Sequence, residues 1–306
     1  MKIIVFGSIN IDLVTTTPRL PLPGETLTGN SFFTTPGGKG ANQAVALAKL
    51  GIPTHIIGRV GNDNFGVELI KNLQNYNVQT ENIVIDETIS SGIAVITVDE
   101  KGENNIIVIP GANGKVNQDD VNKLSSLLPQ TKILLLQLEI PLETVILALQ
   151  KAKAANIKVI LDPAPAPKNL PDEIYPLIDI ITPNEIEASQ LVGFTVSEQE
   201  TAAKAADVLL QKGVKCAIIK LGAKGVYCAN KKESFYIPAF SVNAVDTVAA
   251  GDAFNGGLAA ALFEGKTLRE AVVWGAATGA LATTKLGAQS SFPDRITLDK
   301  FLIDNS

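Results

Sequence analysis

Between residues 246 and 257 the chain reads Asp246-Thr247-Val248-Ala249-Ala250-Gly251-Asp252-Ala253-Phe254-Asn255-Gly256-Gly257. Ala249, Ala250 and Gly251 carry almost no side chain, so their backbone N–H groups can reach a ligand directly. An alanine-rich helical segment follows. The start of a helix offers unpaired N–H donors at the positive end of its dipole, so the pattern predicts an anion hole. Asp252 sits inside it. A carboxylate there can take a proton from a hydroxyl while the hole stabilises charge on a phosphoryl group. The structural alternative is an acidic first-turn residue that only complements the helix dipole.

The elements that must hold this segment alternate along the chain. Continuously apolar, β-branched runs predict strands over Lys2–Gly7, Ile56–Val60, Ile133–Leu136, Lys158–Leu161, Asp179–Ile181 and Ala217–Lys220. Between them helical spacing predicts helices over Gly38–Leu50, Asn64–Tyr76, Asn117–Leu128, Pro141–Ala155, Asn184–Leu191 and Ser197–Leu210, with Ser197 and Glu200 forming a capping box in the last. Alternation of buried strands with helices is the signature of an α/β fold with a mostly parallel sheet covered on both faces. Such sheets bind ligands at the carboxyl ends of their strands.

Two stretches break the alternation. Residues 11–35 are rich in Thr, Pro and Gly, and 92–110 read as a hairpin turning at Glu100-Lys101-Gly102. Both are extended and leave the main sheet, which predicts a small β-sheet lid formed by about 11–36 and 92–110. Its apolar edges need cover, and a second copy of the lid supplies it most simply, so a homodimer is expected; the alternative is a hairpin folded back on its own domain. The whole chain, 1–306, reads as one domain.

Composition narrows the chemistry. With 306 residues, 46% hydrophobic and 19% charged, the chain carries enough apolar material for a large core. A net charge of -5 argues against a nucleic-acid surface. Cys216 and Cys228 lack metal-ligand spacing and read as buried thiols, and the single histidine, His55, has no ligating neighbour. No secretory signal or bilayer-spanning run is evident, so the cytoplasm is the expected location and no membrane partner is expected. A P-loop is absent: Gly37-Gly38-Lys39-Gly40 lacks the upstream glycine, and Ala41 stands where Ser or Thr is required.

Several further segments occur in a telling order: Gly7-Ser8-Ile9-Asn10-Ile11-Asp12, Pro23-Gly24-Glu25-Thr26, Gly37-Gly38-Lys39-Gly40-Ala41-Asn42-Gln43-Ala44, Gln137-Leu138-Glu139, Thr182-Pro183-Asn184-Glu185, and the run ending in Gly251-Asp252. Together they resemble the ribokinase-like carbohydrate kinase family over essentially the whole chain. The resemblance implies a Rossmann-like αβα sandwich with a β lid that also serves as a dimer clasp. It implies transfer of the γ-phosphoryl of ATP to the 5-hydroxyl of D-ribose. Asp252 matches the family's catalytic base, and Ala249, Ala250 and Gly251 its anion hole. Asn10, Asp12, Gly38, Lys39, Gly40, Ala41, Asn42 and Glu139 match sugar contacts. Asn184 and the turn Lys220-Leu221-Gly222-Ala223-Lys224-Gly225 match nucleotide contacts, as does Gly251. Glu187, with Asn184, matches a motif that organises the Mg2+–phosphate water network. Asp246, Val248, Ala282, Lys285, Gly287 and Ser291 match a K+ site built mostly from backbone carbonyls.

The residue types suit these roles. Carboxylates and Asn amides in a closed pocket bind sugar hydroxyls through charge-assisted or paired hydrogen bonds. The alternative for Asp12 and Glu139 is a solvated loop carboxylate, for Asn42 a helix cap, and for Lys39 a solvated lysine. Two departures from the family bear on the nucleotide. Lys220 stands where relatives often have Thr, and Ala276 and Ala277 stand where relatives often carry a polar side chain near the adenine. Competing functions are a kinase for another sugar such as fructose, a nucleoside kinase, and a sugar- or nucleotide-sensing protein without catalysis. Lys39 favours ribose over fructose, and Asp252 in its hole argues against a sensor.

Overall fold

The structure, a computed structural model, describes residues 1–167 and 170–305. In chain order the regular elements begin with β1 (Lys2–Phe6), β2 (Asn10–Thr17), β3 (Ser31–Gly37), α1 (Lys39–Lys49), β4 (Thr54–Gly61), α2 (Asn64–Asn75) and β5 (Gln79–Asp86). They continue through β6 (Gly92–Asp99), β7 (Asn104–Ile109), α3 (Gln118–Leu127), β8 (Thr131–Leu136), α4 (Leu142–Ala154), β9 (Lys158–Leu161) and β10 (Ile180–Ile181). The last third holds α5 (Glu185–Val192), α6 (Gln199–Gln211), β11 (Cys216–Lys220), β12 (Val226–Asn230), β13 (Ser234–Ile237), α7 (Ala250–Phe263), α8 (Leu268–Ala282) and α9 (Arg295–Asp304).

Nine strands form the central sheet in the order β13-β12-β11-β10-β9-β8-β1-β4-β5. Pairing is parallel from β11 to β5, and the β11-β12-β13 end is antiparallel. The period-2 alternation of side chains sends Ile3 and Val5 of β1 into one apolar layer and Ile4 and Phe6 into the other. The first layer is closed by α1, α2, α7, α8 and α9, the second by α3, α4, α5 and α6. This is the αβα sandwich expected from the alternating pattern. All five side chains of β1 are buried, because helices cover both faces of a central parallel strand.

A second sheet, ordered β3-β2-β6-β7, is the lid. β2 runs parallel to β6 and antiparallel to β3, and β6 and β7 form the expected hairpin. Residues 18–30 between β2 and β3 form no strand. β7 is exposed along its whole length, and Phe32, Phe33, Ile106 and Ile107 are each at least half exposed.

Two local readings change, and the central sheet includes strands outside those read from the sequence. The helix α6 is capped at Glu198, not Ser197, and its closing group is the Thr201 hydroxyl, which accepts from the N–H groups of Ser197 and Glu198. Asn42 is not a cap: α1 begins three residues earlier, so its amide is free to bond elsewhere. β5 and β13 are not among the strands read from the sequence. β5, at the sheet edge, has only half-buried or exposed residues, and its apolar run is limited to Ile83-Val84-Ile85 between polar residues.

Candidate active site

Parallel strands deliver the site from their carboxyl ends. Ser8 and Asn10 follow β1, Glu139 follows β8, Asp162 follows β9, Asn184 follows β10, and Lys220 ends β11. The start of α7 faces this rim. Ala249 caps that helix in the left-handed region, at φ 57°, a conformation that costs a residue with a Cβ about 1–2 kcal/mol. The Ala250 N–H lies on Thr247 O at 3.3 Å, and Asp252 follows two residues later in the same first turn; strained backbone of this kind clusters at working sites.

Asp252 is 5% exposed. Its Oδ2 accepts from Asn42 Nδ2 at 3.0 Å and its Oδ1 from Gln43 Nε2 at 3.1 Å. The Asn42 amide is oriented in turn: Gln289 Nε2 donates to its Oδ1 at 3.0 Å, and Asn72 Nδ2 donates to Gln289 Oε1 at 2.6 Å. Gln137 Nε2 occupies Gln43 Oε1 at 2.6 Å, which leaves the Gln43 NH2 group for the two carboxylates Asp162 and Asp252. The Asn42 and Gln43 amides are therefore both held with a donor on Asp252, which keeps the carboxylate in one orientation as a base requires.

The sugar-side residues converge on the same place. Glu139 Oε2 accepts from Ser8 Oγ at 2.5 Å and from the Lys39 N–H at 3.1 Å. Asp12 in β2 of the lid packs against Gly37 and feels the charges of Glu139 and Asp252. Asn10 is buried, and Asn113 Nδ2 donates to its Oδ1 at 2.7 Å, so Asn10 is left with its own NH2 group to offer a ligand. Gly38, Gly40 and Ala41 bring the α1 backbone against residues 7–10, with the Ala41 N–H on Ser8 O at 2.9 Å. Lys39 is half-buried. Burial opposes its charge, but the carboxylates of Asp252, Asp162, Glu139 and Glu187 raise its pKa above the ordinary value.

Burial and the crowding of acids set the protonation of the pocket. Asp12 is pushed up to about 7 by burial and by the charges of Glu139 and Asp252. Asp252 is pushed up to about 6 by burial; Lys39 opposes this, Asp162 adds to it, and the amides of Asn42 and Gln43 oppose it. A base must be ionised to work. We expect kcat/KM to be flat above neutrality and to fall toward one decade per pH unit once the pH drops below about 6. A rate profile flat down to pH 4.5 would remove Asp252 from the proton transfer.

Asn184 and Glu187 form a reciprocal cap at the start of α5. Asn184 Oδ1 accepts from the Glu187 N–H and Glu187 Oε2 from the Asn184 N–H, both at 2.8 Å. One Glu187 oxygen is spent on the cap, and burial followed by the nearby Asp162 charge raises its pKa. Next to it, Leu221 is buried in the core, and Gly222, Ala223 and Lys224 make one turn of 3-10 helix ending at Gly225. The Lys224 ammonium is taken by Ser197 O at 2.7 Å, not by the site carboxylates. Ala276 and Ala277 lie in α8, Ala277 fully buried.

On the flank of the anion hole, Asp246 ties two loops together. Its Oδ1 accepts from the Val248 N–H at 3.0 Å and its Oδ2 from the Gly287 N–H at 2.9 Å, while Thr283 O, just past Ala282, receives the Val245 and Asp246 N–H groups. Ser291 is buried with its hydroxyl on Ala288 O, and Lys285 stands in the same loop. Among the described residues no cluster of three or more His, Cys, Asp or Glu side chains could hold a metal.

The Asp252 carboxylate, the start of α7 and the polar groups of Ser8, Asn10, Asp12 and Glu139 thus lie together at the carboxyl ends of the strands. Residues 1–295 match the family described as pfkB family carbohydrate kinase. The chain belongs to that family. Among its relatives, a ribokinase of Haemophilus influenzae is 45% identical over 298 residues, covering 97% of each chain. A mouse ribokinase is 39% identical over 95% of this chain and 91% of its own. Among solved structures, Arabidopsis thaliana ribokinase complexed with ribose and ATP superposes with a TM-score of 0.91 at 34% identity, covering 98% of each chain. Thermotoga maritima ribokinase does so with a TM-score of 0.89 at 42% identity, covering 99% of each. The pfkB kinase fold therefore accounts for the sandwich and for the four-stranded lid.

Four site residues stayed outside the sequence reading of roles: Gln43, Gln137, Asp162 and Gln289. Gln43 and Gln137 lay within motifs that resemble the family, but an amide at a strand end or within a helix says nothing by itself of its partner. Asp162 follows β9 just as Glu139 follows β8, and that position at a parallel strand's end was the available signal.

Proposed function

We propose that this kinase transfers the γ-phosphoryl of ATP to the 5-hydroxyl of D-ribose. The observation that carries the reading is Asp252: a buried carboxylate in the first turn of α7, held by Asn42 and Gln43 between the sugar-side acids and the anion hole. Asp12, Glu139 and Asn10 bind the sugar hydroxyls, with Gly38, Lys39, Gly40, Ala41 and Asn42 closing the pocket around them. Asp252 removes the proton of the attacking hydroxyl. The N–H groups of Ala249, Ala250 and Gly251 stabilise the charge on the transferring group. Asn184, Glu187 and the Lys220–Gly225 turn hold the nucleotide. The lid excludes water, which protects ATP from hydrolysis.

Two ions belong to this reading. The free oxygen of Glu187, buried beside Asp162, suits the hydrated Mg2+ that accompanies ATP. K+ suits the loops at Asp246: one carboxylate and several carbonyls from Val248, Ala282, Lys285, Gly287 and Ser291 match a weakly charged, oxygen-rich site better than a divalent one. Both ions supply charge and rigidity; neither alters which residue moves the proton. No described helix is long and apolar enough to cross a membrane, and cytoplasmic location is part of the proposal.

The deciding experiment is ADP release with Mg2+ and K+ against ribose, deoxyribose, fructose, tagatose and nucleosides. Deoxyribose is the informative competitor, because a deoxyribokinase of Salmonella typhi is 36% identical over 99% of each chain. Preference for ribose supports the reading. Preference for another sugar discards ribose and keeps the kinase, and binding without turnover across the panel favours a sensor. Equal rates in K+ and in a bulky organic cation would remove the K+ site.

We also propose that two lids clasp each other in a homodimer. The exposed edge strand β7, with Ile106, Ile107, Val108 and Ile109, and the exposed Phe32 and Phe33 of β3 are the apolar surface such a clasp would bury. Ile107→Lys is expected to shift the mass in solution toward monomer and to weaken sugar binding with it. A wild-type mass that is monomeric at every concentration would end the clasp.

A further inference from the structure

Lys220 does not stand free beside a nucleotide base. Its ammonium lies 3.0 Å from Asp162 Oδ1, with side-chain exposures of 13% and 3%. Its backbone is pinned: the Lys220 N–H donates to Pro183 O at 2.9 Å, and Lys220 forms a bridge with Asn184. Only the flexible stem can move. The ammonium also lies against the anion hole, 3.3 Å from where a Cβ on Gly251 would sit. Gly251 is the residue before Asp252 in the first turn of α7. Between them, these contacts place a largely enclosed ammonium on Asp162 and beside the first turn of α7.

Asp162 is built to release it. Its second oxygen, Oδ2, accepts from Gln43 Nε2 at 3.0 Å, and that same nitrogen donates to Asp252. Asp162 therefore keeps a hydrogen bond when Lys220 leaves. Lys39 remains nearby as a second positive charge. A buried carboxylate that holds a lysine keeps its side chain ordered, which spares the reorganisation that a solvated side chain would need at the moment of transfer.

We propose that Lys220 is a phosphate clamp stored on Asp162, which turns from that carboxylate to the terminal phosphate of the bound nucleotide. This rests on the kinase reading above. It assigns Asp162 as the positioning residue and moves Lys220 from selection of the base to stabilisation of the transferring group. Lysine can act there as a point charge.

The test compares wild type, Lys220→Met, Lys220→Arg and the double variant Lys220→Met with Asp162→Asn. Two quantities are read: kcat with Mg2+ and K+ present, and calorimetric affinity for ADP and for a non-hydrolysable imido analogue of ATP. Lys220→Met is expected to lower kcat by roughly 10²–10³-fold, as removal of one preorganised donor does, with sugar KM little changed. It should weaken the ATP analogue more than ADP, and Lys220→Arg should recover part of both losses. The double variant separates the roles. If Lys220 only neutralises Asp162, removing both charges restores kcat and analogue affinity; under the clamp it does not, because the donor is still missing. Restoration by the double variant, or equal weakening of ADP and the analogue, would overturn the proposal. The binding measurements need no sugar. A wild-type enzyme that fails to phosphorylate ribose would count against the substrate reading alone.

Discussion

Asp252→Asn is expected to lower turnover by at least roughly 10²–10⁴-fold, the range a single general base supplies, while the sugar still binds. The sugar-side acids Asp12 and Glu139 keep their places, and loss of the Asp252 charge removes one cause of the raised Asp12 pKa, so affinity measured by calorimetry should stay within a few-fold of wild type. The variant is not structurally silent. Asn42 Nδ2 and Gln43 Nε2 both donate to the carboxylate, and an Asn accepts with only one of its two atoms. Neither neighbour can simply reverse its amide. Asn42 Oδ1 is held by Gln289, and Gln43 Oε1 by Gln137. One donor is thus left facing an NH2 group, a cost of about 1–3 kcal/mol, offset in part by removal of a buried charge. A melting curve recorded beside the kinetics separates loss of the base from loss of the fold. Near-wild-type turnover in a folded variant would mean that another group takes the proton.

Gly38→Ala is expected to disable sugar binding, whereas Gly51→Ala leaves it intact. Both glycines adopt positive φ, 87° and 79°. Either substitution therefore carries the left-handed penalty of about 1–2 kcal/mol. Only Gly38 meets atoms: a Cβ there would lie 2.7 Å from the Asn10 N and 3.0 Å from Ser8 O, while nothing lies within 4 Å of one at Gly51. These neighbours are backbone atoms of the segment that presents Asn10 and Ser8. They can make room only if that segment shifts away from α1. Ser8 carries Glu139, and Asn10 leads into Asp12, so the displacement reaches three sugar contacts at once. A shift of about 1 Å at a positioning group can cost 10²-fold, and it should show as a raised sugar KM. Equal KM values for the two variants, each folded, would show that the close approach at Gly38 does not shape the pocket.

How far the sequence carries depends on where the information resides. Periodicity marks a strand when the strand is buried on both faces, which is why β1, β8 and β9 were legible and the half-exposed edge strand β5 was not. The capping pair Asn184–Glu187 lies three residues apart, within reach of a local pattern. The ordered motifs identified the family because glycines, small residues and an acid at a helix start are demanded by local backbone geometry at a phosphate site.

The partners of those residues are another matter. Gln43 meets Asp252 across 209 positions and Asp162 across 119, and Lys220 meets Asp162 across 58. No local pattern records such separations. Only the parallel sheet, which brings the carboxyl ends of β8, β9, β10 and β11 to one rim opposite α7, brings these side chains together. From residue types and spacing came the sandwich, the lid and the acid in the first turn of a helix. The tertiary structure decided the rest, because orientation of an amide and storage of a charge depend on which side chains are buried against each other: Asp252 is locked by two amides, Lys39 is surrounded by acids, and Lys220 rests on Asp162.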